Sequence, residues 1–503
     1  MRSSLRIELK GGLMPKLSPK RAGWKILPGL ELVARGKVRD SYLLPCGKIL
    51  LVATDAISIF DFVLNALVPM KGVILTAMSV FWFKELEKYG IKHHMVAYGS
   101  GIDEYLPEEL QDNADLQSRA MVVENLDMVD DTEFIVRGCL TGSGKEEYDE
   151  IGMVCGHVLP TGLQDGDELP FSVDTPSTKA SVGHDEHVDA ATIQEKYPLQ
   201  TYLAIQIFSI IQAVAKKRGV LFADTKFEFA KDGTLADEVA TPDSSRFWSF
   251  SEWEASRRPV AERKAPSAFD KQFVRAWGIL MGINKKSKYD PSKESDVDKV
   301  HAMVVPDEII AQTTQIYRYI FWRLTRMTIE DYLCEVMNVN IEKASKCVLI
   351  IAGSESDLPE IKDAIGRLAP ASNFGIVVHV MSCHRNPLEV MHFVLNAGKP
   401  LDYDVIIGVG SKALALPGII DAWANHFNRV AGVALGKPGS EELLAAQLSI
   451  TQIPGQPVII NEITGEAYTG VEGLAELLNR IDSGELPPEK PRKHKDIQIN
   501  VSL

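Results

Sequence analysis

The sequence lacks most of the features that would assign it quickly. It has six cysteines in 503 residues, at 46, 139, 155, 334, 347 and 383, with no Cys-x-x-Cys pair. That spacing excludes a disulfide framework and a cysteine-based zinc site, and it indicates a reducing compartment. No uninterrupted apolar run approaches the roughly 18–20 residues of a membrane helix. The longest candidate, Tyr202 to Ala215, is broken by Gln206, Ser209 and Gln212 and reads as a buried helix. Positive charge is in deficit: 54 Lys and Arg against 68 Asp and Glu leave a net −14. Nonspecific nucleic-acid binding is disfavoured, and a small anionic substrate needs local basic residues against the overall field. Internal repeats and long low-complexity tracts are missing too. What remains is 45% hydrophobic and 24% charged, the balance of a globular chain with real cores. At roughly 100–200 residues per domain, the length suggests about three domains or two large ones.

The first 25 residues carry Arg2, Arg6, Lys10, Lys16, Lys20, Arg21 and Lys25 against Glu8 alone. They have no apolar centre of a secretory signal, so residues 1–23 read as a solvated basic tail, with a short organelle transit peptide as the alternative. The expected location is the cytoplasm.

Texture changes near residue 345. Before it, short strand-like runs (Ile49–Ala53, Phe134–Arg137, Phe222–Phe229) mix with acidic loops and long helical stretches. Pro306-Asp307 opens one helix, and Ile309, Ile310, Ile316, Ile320 and Leu324 share its buried face to about Thr325. After it, apolar strands (347–352, 375–381, 405–408, 430–435) each run into small-residue loops and then helices. That rhythm predicts an α/β three-layer, flavodoxin-like parallel sheet covered on both faces. Ligands of such sheets bind beyond the carboxyl ends of the strands, where Ser354, Ser382, His384 and Ser411 fall. The expected division is a domain over 24–340, a linker over 341–345, a second domain over 346–485 and a tail over 486–503.

Four segments of the first half are too polar for ordinary core or loop: 36–40, 136–144, 174–180, and 223–229 with 237–246. In the last, Asp224, Lys226 and Glu228 alternate with Phe227 and Phe229, which puts charges on one strand face and aromatics on the other. A solvated amphipathic strand is the plain explanation. Asp237 and Glu238, however, follow at hairpin distance, so Glu228 and Asp237 can meet across strands. Facing carboxylates need a cation between them, and Mg²⁺ with ATP phosphates suits. Lys37, Arg39 and Lys179 would add phosphate neutralisation.

Three other patterns are weaker. Gly142-Ser-Gly-Lys145 ends like a P-loop, but its leading Gly is misplaced and Glu146 replaces the magnesium-holding hydroxyl. His184-Asp-Glu-His187 has helical ligand spacing without an evident third ligand, which leaves zinc a minority reading. Gly408-x-Gly410-x-x-Ala413 reads as a tight strand-to-helix turn before it reads as a dinucleotide fingerprint.

Five motifs in order, Gly36-Lys-Val-Arg-Asp40, Thr175-Pro-Ser-Thr-Lys-Ala180, Asp224-x-Lys-Phe-Glu-Phe229, Asp237-Glu-x-x-Thr-Pro-Asp-Ser-Ser-Arg-Phe-Trp248 and Phe269-Asp-Lys-Gln-Phe-Val-Arg275, resemble the SAICAR synthetase family over about residues 24–335. The resemblance implies an α+β, two-lobed ATP-binding synthetase of purine biosynthesis. ATP activates the carboxylate of an aminoimidazole ribonucleotide (CAIR), the amine of L-aspartate attacks, and ADP and phosphate leave. By position, Glu228 and Asp237 would be the magnesium carboxylates, and Lys37, Arg39, Lys179 and Asp224 would serve ATP. Arg137, Ser143 and Arg246 would contact the nucleotide, and Lys226 would act at the reacting centre. The chain departs from the family at Ala56, where Arg is usual, at Lys145, where an aromatic is common, and at Ser181, where Glu is usual. Ala56 removes one expected cation.

In the second half, Gly353-Ser-Glu-Ser-Asp357 follows a buried strand and opens a helix. Asp357 suits a helix cap there, and free N–H groups at such an end can hold phosphate. Ser382-Cys-His-Arg385 puts a histidine beside Arg at a sheet's carboxyl edge, a better functional position than a core histidine. With Leu416-Pro-Gly418 and Leu448-Ser-Ile-x-Gln-Ile-Pro454, these stretches resemble the AIR carboxylase and N5-CAIR mutase family over about 346–455. The resemblance implies that His384 moves the proton at the imidazole carbon that gains or loses CO₂. Asp357 would act with it, and Ser354, Ser382 and Arg385 would bind nucleotide. Cys383 replaces the usual Ala, Ala415 stands where the mutase has a second His, and Lys412 echoes the basic residue of the form using free CO₂. The implied small molecules are AIR, CAIR, aspartate, ATP and CO₂ or bicarbonate, with no nucleic acid and no membrane. Relatives of the second half form octamers, so a homo-oligomer is expected. Two alternatives stay open: a nucleotide-binding regulator that has kept the fold, and a synthetase whose second domain is a non-catalytic binding or oligomerisation module.

Overall fold

A computed structural model describes residues 26–486 except 180–185, 258–264, 267–268, 284–288, 342–345, 369–373, 398–402, 412–413, 425–428, 454–457 and 463. Ala180, Ser181, His184, Lys412, Ala413 and Pro454, the expected terminal tails apart from Leu486, and most of the expected linker therefore lie outside the described residues. The chain divides into two compact units, Met1–Glu342 and Lys343–Leu503.

Among the described residues the first unit is α+β, with two large antiparallel sheets and two small two-stranded ones. One has five strands, ordered Glu31–Arg35, Arg39–Leu43, Ile49–Ala53, Ala120–Val123 and Met95–Tyr98. The other centres on Thr132–Cys139 and Val220–Phe229, flanked by Glu168–Asp174 and Leu235–Ala236, with Ser177–Thr178 and Ser245–Ser249 paired off the main path. Helices Lys71–Glu87, Pro198–Lys217 and Asp307–Thr325 supply about half of the shared core. The first of these is buried nearly all round, as an apolar helix between layers must be. Pro198–Lys217 is long and apolar enough to cross a membrane by composition alone. It is half-buried rather than buried: Ala204, Ile207, Phe208 and Ile211 lie in the core, while Tyr202 is exposed. Its buried residues follow one helical stripe, and that stripe has the sheet to cover.

The second unit has five parallel strands in the order Phe374–Val380, Lys346–Ala352, Val405–Gly410, Arg429–Ala434, Tyr468–Thr469. Alternate residues of Lys346–Ala352 feed two cores: Leu349 and Ile351 face one, Val348, Ile350 and Ala352 the other. Helices Pro387–Ala397, Leu416–Trp423 and Glu441–Thr451 cover the former, and Leu358–Gly366 and Gly470–Ser483 the latter. This is the three-layer, flavodoxin-like arrangement, and strand order reverses between the ends of Lys346–Ala352 and Val405–Gly410.

Candidate active sites

In the first unit, strand alternation aims Phe227 and Phe229 into the core, both fully buried, and leaves Asp224, Lys226 and Glu228 on the opposite face. The tight return to Leu235–Ala236 pairs Glu228 with Ala236, so Asp237 follows immediately, with a left-handed φ of 56°. Arg39 reaches across from the other sheet: its Nη1 is 3.0 Å from Asp237 Oδ1, and it also pairs with Glu238. Lys179 Nζ lies 2.6 Å from Glu228 Oε2, and Lys226 Nζ lies 2.8 Å from Glu133 and 3.2 Å from Glu228. Burial alone would raise the Asp237 carboxyl, but Arg39, Lys226, His94 and Lys179 hold it below its ordinary value. Burial opposes the charge on Lys226, and Glu228 and Glu133 more than restore it, so the ammonium is raised. The result is a set of carboxylates, each already facing a cation, where the two sheets meet. Lys37 is exposed and pairs with Asp61 at 2.5 Å, near the turn into Arg39–Leu43.

A second group lies further along the same strands. Arg137 Nη1 is 2.7 Å from Asp224 Oδ2, and Arg246 pairs with the same oxygen. Asp224, expected among the ATP-binding residues, is thus engaged by the two arginines nominated for the nucleotide. The cause is register: Asp224 pairs with Arg137 on one neighbouring strand and Arg246 on the other. A buried and a half-buried guanidinium share one carboxylate, which leaves an excess of donors. Arg137 Nη2 also donates to Ser143 Oγ at 3.0 Å, and the Gln272 amide oxygen bridges Arg246 and Arg275, at 2.9 Å to each. Ser143 is the first residue of the helix Ser143–Ile151. Gly142, at φ 57°, and Gly144 permit the approach: a Cβ on them would lie 2.5 Å from Arg246 Nη2 and 3.0 Å from Arg137 Nε. Guanidiniums, a hydroxyl and a helix N-terminus converging in this way form a cradle for an anion.

His187 completes this group and was undervalued from sequence. Its Nε2 is 3.0 Å from Ser143 Oγ and its Nδ1 contacts Glu147. Glu147, Cys155 and His187 present ligand atoms within 4.8 Å of one another, a grouping that the His184/His187 spacing did not show, with His184 itself outside the described residues. The chemistry does not favour a metal there. Burial pushes the Cys155 thiol up to about 12, its Sγ lies 3.7 Å from the Pro176 carbonyl, and Glu147 already accepts from the Cys155 N–H at 3.0 Å. Sequence reasoning also missed Glu133, whose partner Lys226 is 93 residues away, and gave Gln272 no role of its own within its motif. Of the departures, Ala56 is fully buried in the strand Ala56–Ile59, and Lys145 pairs with Asp149 one helical turn on, at 2.6 Å.

In the second unit, Ser354 and Asp357 form a capping box: the Ser354 N–H donates to Asp357 Oδ2 at 3.1 Å, and Ser354 Oγ accepts from Ser356. Asp357 is buried beside Gly410, and burial raises its carboxyl above the ordinary range. Ser382 Oγ accepts from the Arg385 N–H at 3.4 Å, and Arg385 Nη2 reaches the Gly353 carbonyl at 3.4 Å. His384 is exposed next to them. These residues collect at the carboxyl ends of the strands, around the switch point. Gly410 ends its strand against Leu414, and residues 412–413 between them lie outside the described residues.

Residues 32–291 match the SAICAR synthetase family, and residues 347–475 match AIR carboxylase. A phosphoribosylaminoimidazole-succinocarboxamide synthase of Streptomyces coelicolor is 41% identical over 278 residues, covering 53% of this chain and 87% of that protein. One from Neisseria meningitidis serogroup A is 40% identical over 308 residues, 59% of this chain and 98% of its own. Among solved structures, the SAICAR synthase of Saccharomyces cerevisiae complexed with SAICAR aligns with a TM-score of 0.51 at 34% identity. It covers 61% of this chain and 98% of that one.

Proposed function

We propose the function from one premise: the chain belongs to the SAICAR synthetase family, joined in a single polypeptide to a domain of the AIR carboxylase family. It is a ligase of purine biosynthesis, which uses ATP to join CAIR to L-aspartate and form SAICAR. The observation that carries the residue-level reading is the meeting of Arg39 from one sheet with Asp237 and Glu238 at the end of the other.

In this reading Lys37, Arg39 and Lys179 lie along the ATP phosphates. They now face Asp61, Asp237 with Glu238, and Glu228, and such partners keep the cations poised until phosphates arrive. Glu228 and Asp237, with Glu238 beside them, offer the oxygen donors that Mg²⁺ prefers, since that ion takes one or two carboxylates and fills its shell with phosphate oxygens and water. Bound there, Mg²⁺ would supply charge neutralisation at the transferring phosphoryl group. Arg137, Ser143 and Arg246 hold the phosphate of CAIR, which orients its carboxylate toward Lys226. Lys226, kept charged by Glu133 and Glu228, stabilises negative charge as the carboxylate is activated and the aspartate amine attacks. Catalysis is then mostly positioning and electrostatics. Purified protein given CAIR, aspartate and MgATP should release ADP, and Glu228→Ala or Asp237→Ala should lower kcat by about 10²-fold or more. Two variants as active as the parent would overturn the metal assignment.

In the second unit the same reading has His384 exchange the proton at the imidazole carbon and Ser354, Asp357, Ser382 and Arg385 bind the nucleotide. Since Ala415 stands where a second histidine would serve the mutase, direct use of AIR and CO₂ is the favoured reaction. The exposed Leu388, Trp423, Leu444 and Leu448 lie on the three helices of one face of this unit and support assembly into a homo-oligomer. All six cysteines are free thiols, which supports a cytoplasmic location.

A further inference from the structure

We propose that His187 is a positioning residue whose protonation releases the Ser143 hydroxyl to the substrate's phosphate, so that this protein takes up a proton when it binds its ribonucleotide. The inference rests on the reading that Ser143, Arg137 and Arg246 hold that phosphate.

The argument is a count of donors. Glu147 accepts the Cys155 N–H at one oxygen and faces His187 Nδ1 with the other. A carboxylate only accepts, so Nδ1 carries a proton. In the neutral ring Nε2 is then an acceptor, and at 3.0 Å its donor is the Ser143 hydroxyl. Ser143 Oγ meanwhile accepts from Arg137 Nη2 at 3.0 Å. A hydroxyl has one proton. Committed to His187, it leaves only lone pairs to face an incoming phosphate. In the imidazolium form Nε2–H donates to Ser143 Oγ instead, and the O–H turns to the anion.

The surroundings favour that form once phosphate arrives. His187 forms a β-bridge with Ser177, and Glu186 precedes it. Glu147 faces it from the helix Ser143–Ile151, and the Cys155 thiol from the adjoining turn. Asp174, paired with His157, and Asp189, the cap of Ala190–Lys196, add negative charge around Cys155. Arg137, a cation among the described residues here, is paired with Asp224, which it shares with Arg246.

The test uses the full-length protein at saturating ATP and aspartate. KM for CAIR should rise with pH as His187 loses its proton, by at most the tenfold per pH unit that one linked proton allows, while the pH profile of kcat stays flat. In His187→Gln the side-chain amide can donate to Ser143 at every pH. Its KM should keep only the slope due to the substrate phosphate's own titration, and that slope should equal the wild-type slope once the His187 contribution is subtracted. Calorimetric binding of SAICAR in two buffers of different ionisation heat should show less proton uptake in the variant. Glu147→Gln, which removes the charge favouring imidazolium, should move the wild-type break to lower pH. SAICAR formation with identical KM profiles in wild type and His187→Gln, or an unmoved break in Glu147→Gln, would overturn the proposal. Absence of SAICAR formation by the wild type would instead overturn the reading beneath it.

Discussion

Lys71 shows at the scale of one residue why charge and burial coexist in this protein. It is fully buried, and its Nζ lies 2.7 Å from Asp243 Oδ2, while Tyr317 donates to the other oxygen at 2.5 Å. Burial pushes the Asp243 carboxyl up, but Lys71 and Lys271, with the hydrogen bonds from Lys71 and Tyr317, take it from 3.8 down to about 2. A carboxyl depressed on folding stabilises the fold fully above its unfolded value, and that contribution is lost as pH falls through the folded one. Stability should therefore drop between about pH 4 and 2, and Asp243→Asn should flatten that drop. The same variant leaves Lys71 buried without its partner and should cost about 3–5 kcal/mol at pH 7, measured by urea unfolding. Asp243 was legible only as part of a motif. Nothing in the spacing said that its partner was a lysine 172 residues earlier.

Single elements place the chemistry. Along Val220–Phe229, alternation alone separates the core aromatics from the charged face, and that was readable from composition and period. Which charge joins which partner was not, because Arg137 and Arg246 reach Asp224 through register with two other strands. The start of the helix Ser143–Ile151 depends on Gly142, whose φ of 57° and ψ of −137° exclude a side chain at low cost. Gly142→Ala should be strained by about 1–3 kcal/mol and displace Arg246 from the cradle. The expected result is a raised KM for CAIR with KM for ATP little changed, measured by ADP release. Equal effects on both substrates would place the cradle elsewhere.

For the molecule as a whole, each unit can be tested in the intact chain. Given AIR with bicarbonate, the protein should form CAIR, and His384→Asn should abolish this while SAICAR synthesis from supplied CAIR persists; no CAIR from AIR or from N5-CAIR would leave the second unit as a scaffold. Sedimentation at micromolar concentration should show an oligomer, and Leu444→Glu with Leu448→Glu should reduce its size; a monomeric parent would refute assembly through that face. Much of this architecture was determined by the sequence alone. The parallel sheet after residue 345, the helix from Asp307 to Thr325 and the alternating strand at 224–229 follow from local periodicity, which is written in neighbouring residues. The identity of the two halves followed from motifs of a few residues in order. Tertiary structure alone decided the pairings: Arg39 with Asp237, Asp224 with Arg137 and Arg246, and His187 with Ser143 and Glu147. These join residues between 22 and 198 positions apart. The strength of such contacts depends on distance and burial in space, quantities that strand register and helix packing set and that sequence separation does not encode.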